Sequence, residues 1–151
     1  MVEMTDTDRK TILDAVNKRR RDFAKNYRIA NMNEMTYDVG FEKIAEGIPC
    51  QTQANDYMVV CYSNDRGWKS ILEVRGYFED EPTRNLMIPV QTKFGCVSLK
   101  ESCYGPTCPV TARCVVGPQN VFQNRDFKGG WPGTKCPSDR DDTDGLCTLK
   151  N

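Results

Sequence analysis

The chain has 151 residues, 38% of them hydrophobic and 28% charged, with 21 basic side chains, 21 acidic ones and no histidine. That length suits one domain able to bury most of its apolar surface, and that composition excludes an intrinsically disordered chain. Zero net charge excludes whole-molecule attraction to nucleic acid, and the missing histidine removes the usual base of serine and cysteine hydrolases.

In chain order, Thr5 or Asp6 is placed to cap a first helix, with Asp6 and Asp8 near its positive end. Ile12, Leu13, Val16 and Phe23 then recur at near-helical spacing and form one apolar stripe. The run Lys18-Arg19-Arg20-Arg21 reads as an outward, solvated face in preference to a phosphate or heparin patch, because Asp22 lies beside it. Asp38 is placed to cap a second helix, VGFEKIAEG, which ends at Gly47, Pro49 and Cys50. YMVVCYS, with its β-branched and aromatic residues, predicts a strand over 57–63. Asp65 would cap a third helix, GWKSILEVRGYF, with Trp68, Ile71, Leu72 and Arg75 on one side.

KFGCVSLKESC and TARCVVGPQN predict short strands joined by a YGPTCP turn. The remainder, rich in Gly, Pro and Asp, has no amphipathic period and predicts an irregular tail anchored by Cys136 and Cys147, paired with each other or with the core. Helices first and strands later, without β–α alternation, define an α+β fold. The boundaries are a main domain over 1–122 and a cysteine-anchored extension over 123–151.

The eight cysteines, Cys50, Cys61, Cys96, Cys103, Cys108, Cys114, Cys136 and Cys147, are even in number and absent from the first third of the chain. Disulfides in an oxidising compartment explain them better than zinc, because short Cys-x-x-Cys pairs and histidine are both missing. About 105 pairings are open. No segment reaches the length of a membrane span, and MVEMTDTDRK lacks the apolar core of a signal peptide. If the chain is secreted, Met1 begins a mature or expressed form.

Leu13, Asp14, Asn17 and Arg20, the Tyr37-Asp38 pair, LEVRGY, TKFGCVSLKESC, CVVGPQNVFQN and GTKCPSDRDDTDGLC occur in one order along the chain. Together they resemble the CAP superfamily (cysteine-rich secretory proteins, antigen 5, pathogenesis-related group 1). The nearest branch is that of the nematode activation-associated, or venom-allergen-like, secreted proteins, here degenerate and shortened. The resemblance implies an α–β–α sandwich with a small antiparallel sheet, a secreted location and a role in binding.

Many members of that superfamily carry two histidines and two glutamates in a central cleft that holds zinc in some of them. Carried over residue by residue, the resemblance leaves only Glu73 in this chain. Ala54 stands at one glutamate position and Pro82 falls near one histidine position. Only about 17 residues separate Cys50 from Trp68, none of them histidine. One ligand in four cannot hold a metal that wants roughly four donors.

Glu79, Asp80 and Glu81 are consecutive, so their side chains diverge, and they read as a solvated turn. DRDDTDG, 139–145, alternates better but lacks the closing glutamate of a calcium loop and also reads as an exposed turn. No metal, cofactor or catalytic residue is expected. Glu73 itself reads as a retained structural carboxylate, with Arg75 a candidate partner.

The expected function is therefore that of a secreted, monomeric, non-enzymatic binding protein, a host- or cell-surface-interacting effector or immunomodulator. Its partner would be an extracellular protein, with no nucleic acid and no membrane span. The alternative is a carrier of a sterol or fatty acid, with Ile44, Trp68, Ile71 and Leu72 as pocket lining. A histidine-free carboxylate hydrolase using Glu73 with Glu79 or Glu81 is a third reading, weakened because spacing alone cannot place them across a sugar.

Overall fold

The computed structural model describes residues 3–50, 56–62, 68–69, 81–99 and 111–151, with backbone alone for 81–83. Helix α1 runs Asp6–Tyr27. Thr5 caps it in a reciprocal box, its hydroxyl accepting the Asp8 amide while the Asp8 carboxylate accepts the Thr5 amide. Ile12, Val16 and Phe23 are buried and Leu13 packs at the margin, as the apolar stripe predicts. The helix stops where Arg28 turns left-handed at φ 54°.

Strand β1 (Thr36–Tyr37) leads into α2 (Val39–Gly47), whose first turn is capped by the Asp38 carboxylate accepting from the Phe41 amide. Strand β2 is Met58–Tyr62, α3 is Glu81–Leu86, β3 is Lys93–Ser98 and β4 is Ala112–Gly117. These strands form one sheet in the order β1-β3-β4-β2, antiparallel except that the two-residue β1 runs parallel to β3.

Strand alternation sorts the core into two layers. Phe94, Cys96, Cys114, Val116, Met58 and Val60 face α1 and the loops after it, in the larger core. Val97 and Val115 face α2, where they meet Phe41 and Ala45. The result is an α–β–α sandwich. On the α2 side, Arg113 of β4 donates to the carbonyls of Ala45 and Glu46 and so closes the C-terminal end of α2. Gly95 lets the two layers touch: a Cβ there would lie 2.4 Å from the Glu42 amide nitrogen and 2.5 Å from the Asp38 carbonyl oxygen.

From Pro118 to Asp139 the tail is irregular apart from a 3₁₀ turn over Asn124–Asp126. Its last residues differ from the sequence expectation and form a hairpin, β5 (Arg140–Thr143) with β6 (Leu146–Leu149). The sequence hides β5 because only Arg140 of Arg-Asp-Asp-Thr turns inward, leaving no apolar alternation to read. Leu146 enters the larger core, and Cys147 beside it is fully buried. The Cys147 amide donates to the Met32 carbonyl at 2.7 Å, and its carbonyl accepts from the Glu34 amide at 2.9 Å.

Three disulfides are described: Cys50–Cys61, Cys96–Cys114 and Cys136–Cys147. Cys103, Cys108, the YGPTCP turn and nearly all of the third sequence-predicted helix lie outside the described residues.

Candidate functional site

The run Lys18–Arg21 is not the solvated face its charge suggests, and Arg20 is the correction. Arg20 lies one turn beyond Val16 and one short of Phe23, on the apolar stripe, and is fully buried. Its Nε donates to the Asn33 carbonyl, Nη1 to those of Leu86 and Ile88, and Nη2 to those of Pro89 and Gln91. A guanidinium has five N–H groups, and here all five are used. Burial, then the nearby Arg140 cation, bring its pKa down to about 9, so it is still charged at neutral pH. Asn17, one turn earlier, exchanges two hydrogen bonds with the Met35 main chain. Asn17 and Arg20 are thus polar pins between α1 and the segments that lead into β1 and β3. Lys18 does face outward, paired with Asp22.

A second buried network lines a cleft of about 570 Å³ between the start of α1, α2 and β3. Glu42, on the inner face of α2, accepts from Arg9 Nε at 3.1 Å and Nη2 at 2.9 Å. The Tyr37 hydroxyl donates to its Oε1 at 2.6 Å. Tyr37 also accepts from the Cys96 amide at 3.1 Å. Burial, and then the bond to Glu42, push the Tyr37 hydroxyl well above the usual tyrosine range. Glu42 holds the Arg9 guanidinium above its ordinary value. Glu3, Met4, Val39, Lys43, Glu46 and Val97 complete the cleft wall.

Chemically this is a lock. Each Glu42 oxygen is engaged by a donor of the chain itself, so Glu42 offers no free oxygen to a substrate proton. Glu42 and Arg9 escaped the sequence reading; their signal is a charged residue one turn from buried positions, Arg9 from Ile12 and Glu42 from Ala45.

The sequence-nominated residues scatter. Glu73, Arg75, Ile71, Leu72, Ala54, Glu79 and Asp80 lie outside the described residues, and Glu81 and Pro82 are placed by backbone alone, at the start of α3. Trp68 is buried in the larger core and Ile44 packs against the smaller one, on opposite faces of the sheet, so these two do not line one pocket. Asp142 and Asp144 flank the β5–β6 turn, where Asp142 accepts the Gly145 amide and Asp144 meets Arg21 and Lys25. Among the described residues no three His, Cys, Asp or Glu side chains gather as a metal site, and no helix is long and apolar enough to cross a membrane.

The sandwich and its order of elements make a CAP-like α–β–α fold, and solved structures of nematode secreted and venom-allergen-like proteins share it. The hookworm platelet inhibitor superposes with a TM-score of 0.70 at 21% identity, over 100% of this chain and 95% of that one. BmVAL-1 gives 0.64 at 15% identity, over 99% and 97%. The manganese-bound Ancylostoma-secreted protein Ac-ASP-7 gives 0.61 at 20%, over 99% and 90%. No protein-family model and no curated protein matches the chain.

Proposed function

We propose that this protein is a secreted, non-enzymatic binding protein that acts on an extracellular or cell-surface protein, as an effector. The observation that carries the reading is the internal saturation of Glu42, the buried carboxylate of the described cleft, on a disulfide-stapled fold. The likeness over full length to a platelet inhibitor supports a fold suited to such a role. Manganese is suited by carboxylate, carbonyl and water oxygens; among the described residues no three His, Cys, Asp or Glu side chains gather to supply such a set, and both Glu42 oxygens already accept from Arg9 and Tyr37. Glu73 is assigned as the remnant of the superfamily's cleft site, without a catalytic role.

The test is capture from extracellular and cell-surface extracts on the immobilised protein, with free protein as competitor. A saturable, competed partner, retained when Glu73→Gln is used, is the expected result. Polysaccharide turnover abolished by Glu73→Gln would overturn the non-enzymatic reading. Exchangeable lipid seen by native mass spectrometry would favour the carrier alternative instead.

A further inference from the structure

The end of α1 and the tail packed beside it form a basic surface with an exposed tryptophan. Arg21 and Lys25 fall at i and i+4 near the end of the helix, and Arg28 is its left-handed cap. The tail reaches them at Gly145, where a Cβ would lie 3.2 Å from Pro132 Cβ, 3.6 Å from Lys25 Cε and 4.0 Å from Arg21 Cγ. Next to Pro132, Trp131 takes the Arg28 guanidinium over its ring, 4.6 Å from the centroid. The Arg28 carbonyl accepts the Gly130 amide at 2.9 Å. Ala30 ties in two more cations through the main chain, donating to the Lys128 carbonyl and accepting from the Lys135 amide. The Lys135 ammonium lies 2.9 Å from the Gly129 carbonyl.

Two of these five cations share one carboxylate. Asp144 alone serves Arg21 at 3.4 Å and Lys25 at 3.2 Å, and Asp142 accepts the Gly145 amide at 2.8 Å. Arg28, Lys128 and Lys135 form no ion pair among the described residues. Three of the five cations are thus left without a carboxylate partner among the described residues, on a chain whose total charge is zero. Trp131 is 67% exposed, more than any other large hydrophobic residue described. A large exposed aromatic among unpaired cations is the composition of a contact surface.

We propose that this surface binds a sulfated polysaccharide, with Arg28, Lys128 and Lys135 meeting sulfates and Trp131 stacking on a sugar ring. Arg28 lies at the end of α1 while Lys128 and Lys135 lie on the tail, so the cations assigned to sulfates sit on separate segments. That spread suits a linear ligand with charge at intervals better than a single phosphate. A lipid surface would call for a larger apolar area than this patch offers beside its charges. The cleft at Arg9 is about 28 Å away along α1, so this surface is separate from it and does not depend on the protein partner proposed above.

The test is biosensor binding to a heparin dodecasaccharide at about 0.15 M NaCl, with fully desulfated heparin, a DNA duplex, polyglutamate and phosphatidylserine vesicles as comparators. The wild-type protein is expected to bind the sulfated oligosaccharide alone, more weakly as salt rises. The triple variant Arg28→Asn, Lys128→Ala, Lys135→Ala is expected to lose about tenfold or more in affinity. Trp131→Ala is expected to lose several-fold with the salt dependence unchanged. Lys128→Glu, a single change in an exposed loop, gives the same loss should the triple variant fail to fold. No binding by the wild type, wild-type affinity in these variants, or equal binding to DNA, polyglutamate or vesicles would overturn the proposal.

Discussion

Arg20 gives each of its five N–H groups to a main-chain carbonyl, one at Asn33 and four between Leu86 and Gln91, and so joins α1 to the approach of β3. Arg20→Ala would strand those carbonyls in a dry interior, at a cost of about 4 kcal/mol. Urea denaturation should show that loss with the slope unchanged, and a loss under about 1 kcal/mol would mean water replaces the guanidinium freely. Tyr37 sets a pH dependence. Its pKa is raised by folding, so the folded protein keeps a proton that the unfolded chain releases near pH 10. Its contribution is whole below about pH 10 and declines as pH rises above it. Tyr37→Phe should flatten that alkaline decline relative to wild type, and identical alkaline profiles would disprove the assignment.

At the scale of elements, the closeness of α2 to β3 hangs on Gly95. A methyl group there would enter the backbone of Asp38 and Glu42, so the layers would have to part. Gly95→Ala should cost about 3 kcal/mol, the upper part of the overpacking range, read as a melting temperature lower by roughly 6–12 °C. The hairpin β5–β6 depends on its disulfide, since β5 brings only Arg140 inward. Opening the loop between Cys136 and Cys147, of sequence separation 11, should cost about 3 kcal/mol in Cys136→Ser/Cys147→Ser. An unchanged melting temperature would show that the docking of Leu146 and Cys147 suffices without the bond.

For the whole molecule, the described residues gather no metal site and Glu42 is locked, so manganese is expected to add nothing to the native state. A metal that bound the folded chain alone would raise the melting temperature with concentration. None is expected from a manganese titration, and a concentration-dependent rise would reinstate a cleft site around Glu73.

Much of this architecture is written locally. Thr5 with Asp8, Asp38 with Phe41, and the spacing of Ile12, Val16 and Phe23 mark two helices because caps and apolar periodicity act within a few residues. β-branched and aromatic content marks β2, whose burial alternates, whereas β3 and β4, central in the sheet, are buried along nearly their whole length. Other features needed the folded chain. Whether Arg20 lies in water or at the centre, and whether Glu42 is free or locked by Arg9, depends on partners 13 to 71 and 33 residues away. The cysteine pairs are among many that spacing allows. The basic surface joins the end of α1 to a hairpin turn 119 residues later in the Lys25–Asp144 contact. Local propensity acts over neighbours in sequence, whereas burial and charge pairing are set by neighbours in space.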